Sequence, residues 1–324
     1  MLIIERYHTD PYFNIAAEEY ILKAFDDDVF MLWQNQPSII VGKHQNTLAE
    51  INYEFVKENR IPVVRRISGG GTVFHDLGNL NFTFISKGEK GKLVDFRRFT
   101  DPIVEMLNLM GIPAKFEGKN DLRVNGLKIS GNAEHVFKNR VLHHGTLLFS
   151  SDLSYLNRAI KVKEGKFNDR AVKSNRSKVA NIIDFPGHPV SIEEFKENII
   201  DFVKRKYKET KSYSLTEKDI SAINSMVTGK YSTWKWNFGY SPEYSLSNKV
   251  YTGNGIVNFL IMVKNGVIRQ IEITGNGTDE YMELSTLLKG VPHEEKIIEN
   301  ILKKEQNKNG ILAPSISVVL KGLF

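Results

Sequence analysis

The sequence predicts an α+β protein, a large α+β domain followed by a small one. Three observations support this. First, the chain has 324 residues, 41% hydrophobic and 25% charged, an ordinary folded composition that suits about two domains of roughly 150 residues each. Second, short strand-like runs are interspersed with amphipathic helical stripes along the chain. Third, Asn125-Gly126 and Asn265-Gly266 each sit between strand-like runs, and Asn-Gly supplies the positive φ angles of a two-residue hairpin turn.

The elements follow in order. Leu2 to Arg6 reads as a strand. Tyr12 to Phe25 reads as a helix, with Ile15, Leu22 and Phe25 on one stripe and Ala16-Ala17 as good helix formers. Val29 to Gln34 and Ser38 to Val41 are short strands separated by Asn35-Gln36-Pro37. A helix near Asn52 to Asn59 precedes the strand Pro62 to Arg66, a glycine triplet, the strand Thr72 to His75 and the run Asn79 to Ile85. A helix from Phe96 to Met110 carries Phe99, Ile103, Met106 and Met110 on its apolar face and stops at Gly111. Pro102 suggests that this helix restarts after Thr100, because proline removes one helical hydrogen bond. Leu122 to Ile129 is the first Asn-Gly hairpin, and Val141 to Phe149 is a strand. Ser191 with Glu194 forms a capping box that opens a helix carrying Ile192, Phe195, Ile199 and Phe202. Gly239, Ser241, Pro242, Ser245 and Ser247 mark a boundary, so the expected domains are 1–244 and 245–324. Beyond it lie the second hairpin, Ile256 to Thr274, and helices near Tyr281 to Lys289 and His293 to Lys304.

The chain has no cysteine, which excludes a disulfide framework, a thiolate metal site and a cysteine nucleophile. No signal-like segment opens the sequence, and no stretch approaches the roughly 18 apolar residues of a membrane span. The expected compartment is the cytoplasm, with no membrane partner, and Asn81-Phe82-Thr83 is a chance glycosylation match. The formal net charge of +6 favours anionic partners, namely nucleotides, acidic proteins or nucleic acid. Much of the excess lies between Leu156 and Ala180. There Arg158, Lys161, Lys163, Lys166, Arg170, Lys173, Arg176 and Lys178 face only Glu164 and Asp169. With few apolar residues and no period, the window reads as a mobile basic segment.

The densest chemistry is Arg65-Arg66-Ile67-Ser68-Gly69-Gly70-Gly71-Thr72-Val73-Phe74-His75-Asp76. Glycines let a backbone approach a ligand closely, successive free amides form an anion-binding hollow, and arginine grips phosphate in bidentate fashion. A glycine triplet alone is only a flexible turn; the flanking arginines and His-Asp make it a phosphate site. Neither a P-loop nor G-x-G-x-x-G is present, and Gly42-Lys43-His44 lacks the first glycine and the hydroxyl. A second cluster is Gly118-Lys119-Asn120-Asp121 with Lys128-Ile129-Ser130-Gly131-Asn132-Ala133, where a hairpin lysine can face a phosphate or a developing oxyanion. A third is His143-His144-Gly145-Thr146-Leu147-Leu148. Taken alone, Lys128 is a surface lysine and His144 a core histidine. Among the eight histidines no H-E-x-x-H spacing occurs, so a zinc site is not expected.

R-R-x-S-G-G-G-x-x-x-H-D, then K-x-x-G-x-A, then H-H-G-T-L-L, in that order and spacing, resembles the lipoate–protein ligase family. The resemblance covers most of residues 1 to 240 and continues more weakly through Trp236-Asn237-Phe238-Gly239 into the C-terminal part. It implies a mixed-sheet catalytic domain of the biotin/lipoate ligase type with an accessory domain. It also implies an ATP-dependent ligase with Mg²⁺ as cofactor and lipoate as substrate. The carboxylate of lipoate attacks the α-phosphate of ATP to give lipoyl-AMP and pyrophosphate. An acceptor lysine then takes the acyl group and expels AMP. The implied acceptors are E2 subunits of 2-oxoacid dehydrogenases and the glycine-cleavage H protein.

By the same resemblance, Arg66, Gly71, Thr72, Val73 and Phe74 bind the nucleotide. Ser68 and Gly70 lie near the acyl-phosphate junction, His75 beside the lipoyl pocket, and His144 along the lipoate channel. Lys128 is the catalytic lysine, touching both lipoate and nucleotide. Asn120 and Asp121 lie near the phosphate, with Asp121 on Mg²⁺. The basic segment closes over the adenylate and shields it from water. Phe30, Trp33 and Phe74 are candidates for the apolar acyl slot. One rival is an octanoyl or lipoyl transferase of the same fold, which uses a cysteine that this chain lacks. A biotin ligase would carry a different glycine-arginine loop. A non-catalytic basic module binding nucleic acid would show no ATP dependence, and it leaves the glycine triplet and Lys128 unexplained.

Overall fold

The structure is a computed structural model that describes residues 1–89, 93–160, 166–175, 177–187, 191–253, 255–275, 282–309 and 315–324. Lys161, Lys163, Glu164, Arg176 and Tyr281, named above, lie outside these described residues. The chain forms two compact units. The larger comprises Met1–Lys43, Asn59–Ala159 and Ser174–Ser232; the other comprises His44–Glu58, Ile160–Lys173 and Thr233–Phe324. Each unit is therefore discontinuous in sequence.

In chain order the elements begin β1 (Leu2–Glu5), α1 (Pro11–Ala24), β2 (Val29–Trp33), β3 (Ser38–Val41), α2 (Thr47–Glu50) and α3 (Tyr53–Glu58). They continue with β4 (Val63–Arg65), β5 (Val73–His75), β6 (Asn79–Lys87), α4 (Phe96–Leu109), β7 (Lys115–Glu117), β8 (Asp121–Val124), β9 (Leu127–Phe137) and β10 (Arg140–Leu148). Then come α5 (Leu153–Ala159), β11 (Phe167–Asp169), α6 (Ile192–Lys206), β12 (Lys211–Ser212) and α7 (Glu217–Met226). The last are β13 (Tyr244–Thr252), β14 (Gly255–Lys264), β15 (Val267–Gly275), α8 (Met282–Leu288), α9 (Glu295–Asn309) and α10 (Ile316–Leu323).

Among the described residues, the larger unit holds an eight-stranded sheet in the order β12-β1-β2-β6-β10-β9-β8-β7. It is mixed: β1 pairs parallel with β12 and β2, while β2 onward to β7 runs antiparallel. The apolar stripes of α4 and α6 cover one face. Phe99, Ile103 and Met106 from α4 and Phe195, Ile199 and Val203 from α6 bury against Phe30, Phe82, Phe84 and Leu147. A smaller sheet, β4-β3-β5, pairs β3 parallel to β4 and antiparallel to β5. The glycine loop connects β4 to β5, so its two ends are pinned to the same central strand.

Local chemistry accounts for the element boundaries. Asp10 caps α1 by accepting from the Phe13 amide at 2.9 Å, and Pro11 at the first helical turn lacks a donor that would otherwise go unmet. Ser191 caps α6, accepting from the Glu194 amide at 3.1 Å. The first hairpin turns through Asn125 (φ 51°) and Gly126 (φ 78°), as the dipeptide predicts. The expected break in α4 does not occur. Pro102 lies inside one continuous helix, because proline removes only its own N–H bond while its neighbours keep theirs, and Thr100 Oγ1 donates to the Phe96 carbonyl at 2.8 Å.

The second unit contains an antiparallel sheet, β11-β13-β14-β15. Its core joins Leu246, Phe259, Ile261 and Val263 to Leu284, Ile298, Val319 and Leu323 of the helices. The expected hairpin is β14–β15, turning at Asn265 (φ 54°) and Gly266 (φ 72°). The sequence predicts neither β13 nor α10. From Tyr244 on, the Ser-rich stretch read as a boundary is strand. The basic window is also more structured than expected: Phe167–Asp169 pairs with β13.

Candidate active site

The glycine loop is built on its arginines. Arg65 is fully buried and donates to the carbonyls of Gly42 at 3.0 Å and Lys43 at 3.1 Å. Arg66 donates through Nε to Ser68 Oγ (2.9 Å), through Nη1 to the Ile40 carbonyl (3.1 Å), and through Nη2 to the carbonyls of Gly69 (2.8 Å) and Gly71 (2.6 Å). One guanidinium thus gathers the carbonyls of Gly69 and Gly71 on one side of the loop. Gly70 has φ 85°, the left-handed region that glycine reaches without steric cost. Burial lowers the pKa of Arg66 to about 10, with Glu18 partly offsetting the effect; it stays a cation at neutral pH.

Ser68, the loop's first polar residue, is fully buried. Its Oγ lies 2.7 Å from His144 Nε2. His143 and His144 are neighbours on β10, so they point to opposite faces of the sheet. His143 stacks on Phe99 at 5.1 Å and bonds Glu134 Oε1 at 2.9 Å; burial lowers its pKa. His144 points instead towards α1, where Glu18 accepts from its Nδ1 at 2.9 and 3.0 Å. Gly145 follows because a Cβ there would collide with Asn132 Oδ1 and the Phe82 ring.

His75 ends β5, buried edge-on to Trp33 at 5.8 Å. Asn35 Oδ1 accepts from Asn14 Nδ2 at 2.8 Å, so the Asn35 amide nitrogen donates to His75 Nδ1 at 3.0 Å. The neutral ring therefore carries its proton on Nε2, and that buried atom has no partner among the described residues. Burial drives the His75 pKa down to about 3, with the Arg66 charge adding to the shift. A buried donor left unmet costs about 1–3 kcal/mol, so the Nε2–H is a position for a ligand acceptor.

The lysine cluster lies across β8 and β9. Lys128 Nζ is 2.8 Å from Asp121 Oδ1, and Arg123 Nη2 is 2.8 Å from Asp121 Oδ2. Asn120 donates to the Asn132 carbonyl at 2.5 Å and accepts from the Asn132 amide at 3.0 Å, bracing the strand beyond the lysine. Thr146 Oγ1 accepts from the Gly131 amide at 3.1 Å.

The loop and the lysine are connected in two ways. A Cβ on Gly70 would stand 3.9 Å from that of Ala133, and one on Gly131 3.1 Å from Lys128 Nζ, so the loop lies along β9, the lysine's own strand. Ser174, Ser177, Lys178 and Ala180 then hold both. Ser174 Oγ accepts from the Thr72 amide at 2.8 Å. Ser177 Oγ accepts from Arg123 at 3.2 Å. The Lys128 amide donates to the Lys178 carbonyl at 2.9 Å, and the Ala180 amide donates to the Lys128 carbonyl at 3.0 Å.

The residues singled out in the sequence thus lie as follows. Arg66, Ser68, Gly70, Gly71 and Thr72 form the loop, and Val73 and Phe74 form β5 with His75. Phe74 is buried with its ring 5.5 Å from Tyr155. His144 lies under Ser68, and Lys128 pairs with Asp121 beside Asn120. Of the acyl-slot candidates, Trp33 stands beside His75, whereas Phe30 packs into the main core against Phe84 at 4.8 Å. Sequence reasoning missed Glu18, Thr83, Asn35 and Ser174. A usable signal existed for the first: Asn14 and Glu18 are polar residues four apart on one face of a helix that is otherwise buried there.

Comparison with known proteins places this site in a family. The profile of the lipoyl protein ligase A/B catalytic domain matches residues 10–204, and that of the bacterial lipoate protein ligase C-terminus matches residues 241–317. The chain is 40% identical over 310 residues to lipoate-protein ligase LplJ of Bacillus subtilis, covering 94% of both chains. A crystal structure of lipoate-protein ligase A bound with ATP is similar at TM-score 0.63 and 28% identity, over 74% of this chain and 98% of that one. So is a bipartite lipoate protein ligase from Thermoplasma acidophilum, described together with its E2 lipoyl domain, at TM-score 0.63 and 28% identity over 74% and 96%. The chain belongs to the lipoate–protein ligase family.

Proposed function

We propose that the chain joins lipoate to acceptor proteins in two steps at this one site, with lipoyl-AMP as the intermediate. The observation that carries the reading is that Ser174, Lys178 and Ala180 tie the glycine loop and the Lys128 backbone into one unit. In the first step two anions, carboxylate and phosphate, must meet, and fixed cations and amides offset their repulsion. The loop amides of Gly70 and Gly71, backed by Arg66, receive the nucleotide between themselves and β5, the strand of Val73 and Phe74. Lys128 leaves Asp121 for the phosphate and the acyl oxygen. Asp121 keeps Arg123 as a partner at 2.8 Å when Lys128 leaves, so the carboxylate is not left unpaired by the exchange. In the second step the same ammonium stabilises the oxyanion formed when an acceptor lysine attacks. Ser68, Gly70, His75 and His144 line the lipoyl side, and Asn120 holds β9 in place.

Mg²⁺ is proposed to enter with ATP. Asp121 is the carboxylate proposed to hold it, once Lys128 has released Oδ1. An ion of this kind is usually held by one or two carboxylates together with substrate phosphates. When bound, the ion neutralises phosphate charge. The acceptors are proposed to be E2 lipoyl domains and the glycine-cleavage H protein. Complementary charge on an acidic acceptor would speed encounter with this basic chain. All the named residues lie within 1–244, the proposed catalytic domain, with 245–324 as the accessory domain. Among the described residues no helix is long and apolar enough to cross a membrane, and the cytoplasm, where ATP is made available, is the proposed compartment.

The test is incubation with ATP, MgCl₂ and lipoate, with AMP and pyrophosphate quantified, followed by addition of an apo lipoyl domain and intact-mass measurement. Lipoate-dependent AMP release and a lipoyl mass gain are expected. Absence of both would defeat the proposal.

A further inference from the structure

The mechanism above does not use Glu18, a buried charged group. Glu18 on α1 has a side chain only 2% exposed, yet it makes a full set of bonds. Its two oxygens accept from His144 Nδ1 at 2.9 and 3.0 Å, and Oε1 also accepts from Thr83 Oγ1 at 2.6 Å. Thr83 Oγ1 accepts in turn from Trp33 Nε1 at 2.9 Å. On the far side of His144 stand Ser68 Oγ and then Arg66, which holds the carbonyls of Gly69 and Gly71.

The direction of each bond follows from what each group is able to do. A carboxylate only accepts, so His144 Nδ1 carries a proton. A guanidinium only donates, so Ser68 Oγ accepts from Arg66 Nε. In the neutral ring, Nε2 then has only a lone pair, and the Ser68 hydroxyl proton points at it. The whole line, from α1 to the glycine loop, runs with a single polarity, and Glu18 is the group that sets it.

We propose that Glu18 is a positioning residue for ligation: it fixes the proton of His144 on Nδ1 and thereby the orientation of Ser68 and the shape of the glycine loop. This rests on the reading of the loop as the acyl-adenylate site. A glutamine at position 18 would present an amide donor to Nδ1 and push the ring proton to Nε2. Ser68 would then turn its hydroxyl hydrogen away from His144. Removing partners that orient metal-bound histidines costs about 10- to 100-fold, and a loss of that order is expected here.

The test combines two readouts on the full chain. The ¹⁵N chemical shifts of His144 in the unsubstituted protein report its tautomer, with no variant and no turnover required. Protonated Nδ1 is expected, and a neutral ring protonated on Nε2 would overturn the proposal. The second readout is lipoyl-AMP formation by Glu18→Gln, whose fold is checked by thermal melting. A drop in kcat of about 10- to 100-fold with KM for ATP little changed, together with a His144 proton shifted to Nε2, is expected. Normal kcat in a folded Glu18→Gln protein would overturn the proposal. Should that variant fail to fold, Thr83→Val, which removes one of the bonds on Glu18, is expected to lower kcat in the same direction by a smaller factor, and an unchanged kcat there would count against it. If the unsubstituted chain releases no AMP at all, the ligase reading falls, while the tautomer measurement still decides the polarity of the Glu18 line.

Discussion

Two buried histidines, one in each unit, show how similar burial serves opposite ends. His293 lies in the second unit and uses both ring nitrogens: Nδ1 meets the Tyr244 hydroxyl at 2.6 Å, and Nε2 donates to the Leu323 carbonyl at 2.7 Å. It also stacks on Phe324 at 4.5 Å. His75 lies in the larger unit and uses only Nδ1, leaving its Nε2–H without an acceptor among the described residues. Both pKa values are pushed down by burial, to about 4 for His293 and about 3 for His75. The low values are common to both, and the difference between the two histidines lies in their hydrogen bonds. His293 closes its network and holds the C-terminal helix to the sheet. His75 ends its network in an open donor, as a binding position should.

This contrast breaks most visibly at His293. Replacing it by phenylalanine strands the Tyr244 hydroxyl and the Leu323 carbonyl, at about 1–3 kcal/mol for each group left unmet. Urea titration is expected to show that loss, with adenylate formation by the folded fraction unchanged. Lys128→Ala is the counterpart in the larger unit. It removes a charge donor at the reacting atoms, so AMP release is expected to fall by about 10²- to 10³-fold, with the melting temperature nearly unchanged.

Acid sharpens the comparison. In the unfolded chain a histidine titrates near 6.5, whereas His75 and His293 stay neutral in the fold down to about 3 and about 4. Between those limits the unfolded state binds more protons, so stability falls as pH drops below about 6.5 and is unaffected by these groups above it. Each contributes a slope of at most about 1.4 kcal/mol per pH unit, readable from urea midpoints measured at successive pH values. His75→Phe should remove its share of that slope. The same substitution deletes one unmet donor but strands another, the buried Asn35 amide that donates to Nδ1, so its cost at neutral pH is expected at about 1–3 kcal/mol, below that of His293→Phe. Yet it should raise KM for lipoate about 3- to 10-fold, the worth of one hydrogen bond. A His75→Phe protein that loses several kcal/mol and binds lipoate normally would reverse the comparison.

What the sequence disclosed follows from how local each signal is. The hairpin around Lys128 is legible because Asn125-Gly126 dictates its own turn. The glycine loop is legible because its arginines, serine and glycines are contiguous. The pairing of Glu18 with His144 was out of reach, since the two are 126 residues apart and no local pattern links them. β13 escapes detection because its Ser, Asn and Lys residues suit a strand with one face open, and its burial alternates accordingly. α10 is too short to show a decisive period. Pro102 misled because proline at a helix interior weakens one bond without ending the helix. The basic window looked unstructured by composition, yet Ser174, Ser177, Lys178 and Ala180 are held by backbone and hydroxyl bonds to the loop and the hairpin, which charge counting does not register.

The central claim is that the glycine loop and Lys128 receive one and the same intermediate. A crystal of the full chain soaked with lipoyl-AMP tests it directly. The account predicts the mixed anhydride lying between the Gly70 and Gly71 amides and Lys128 Nζ, with the ammonium drawn off Asp121 and the acyl chain running past His75. Density for the anhydride away from both groups, with the Lys128–Asp121 pair intact, would contradict it.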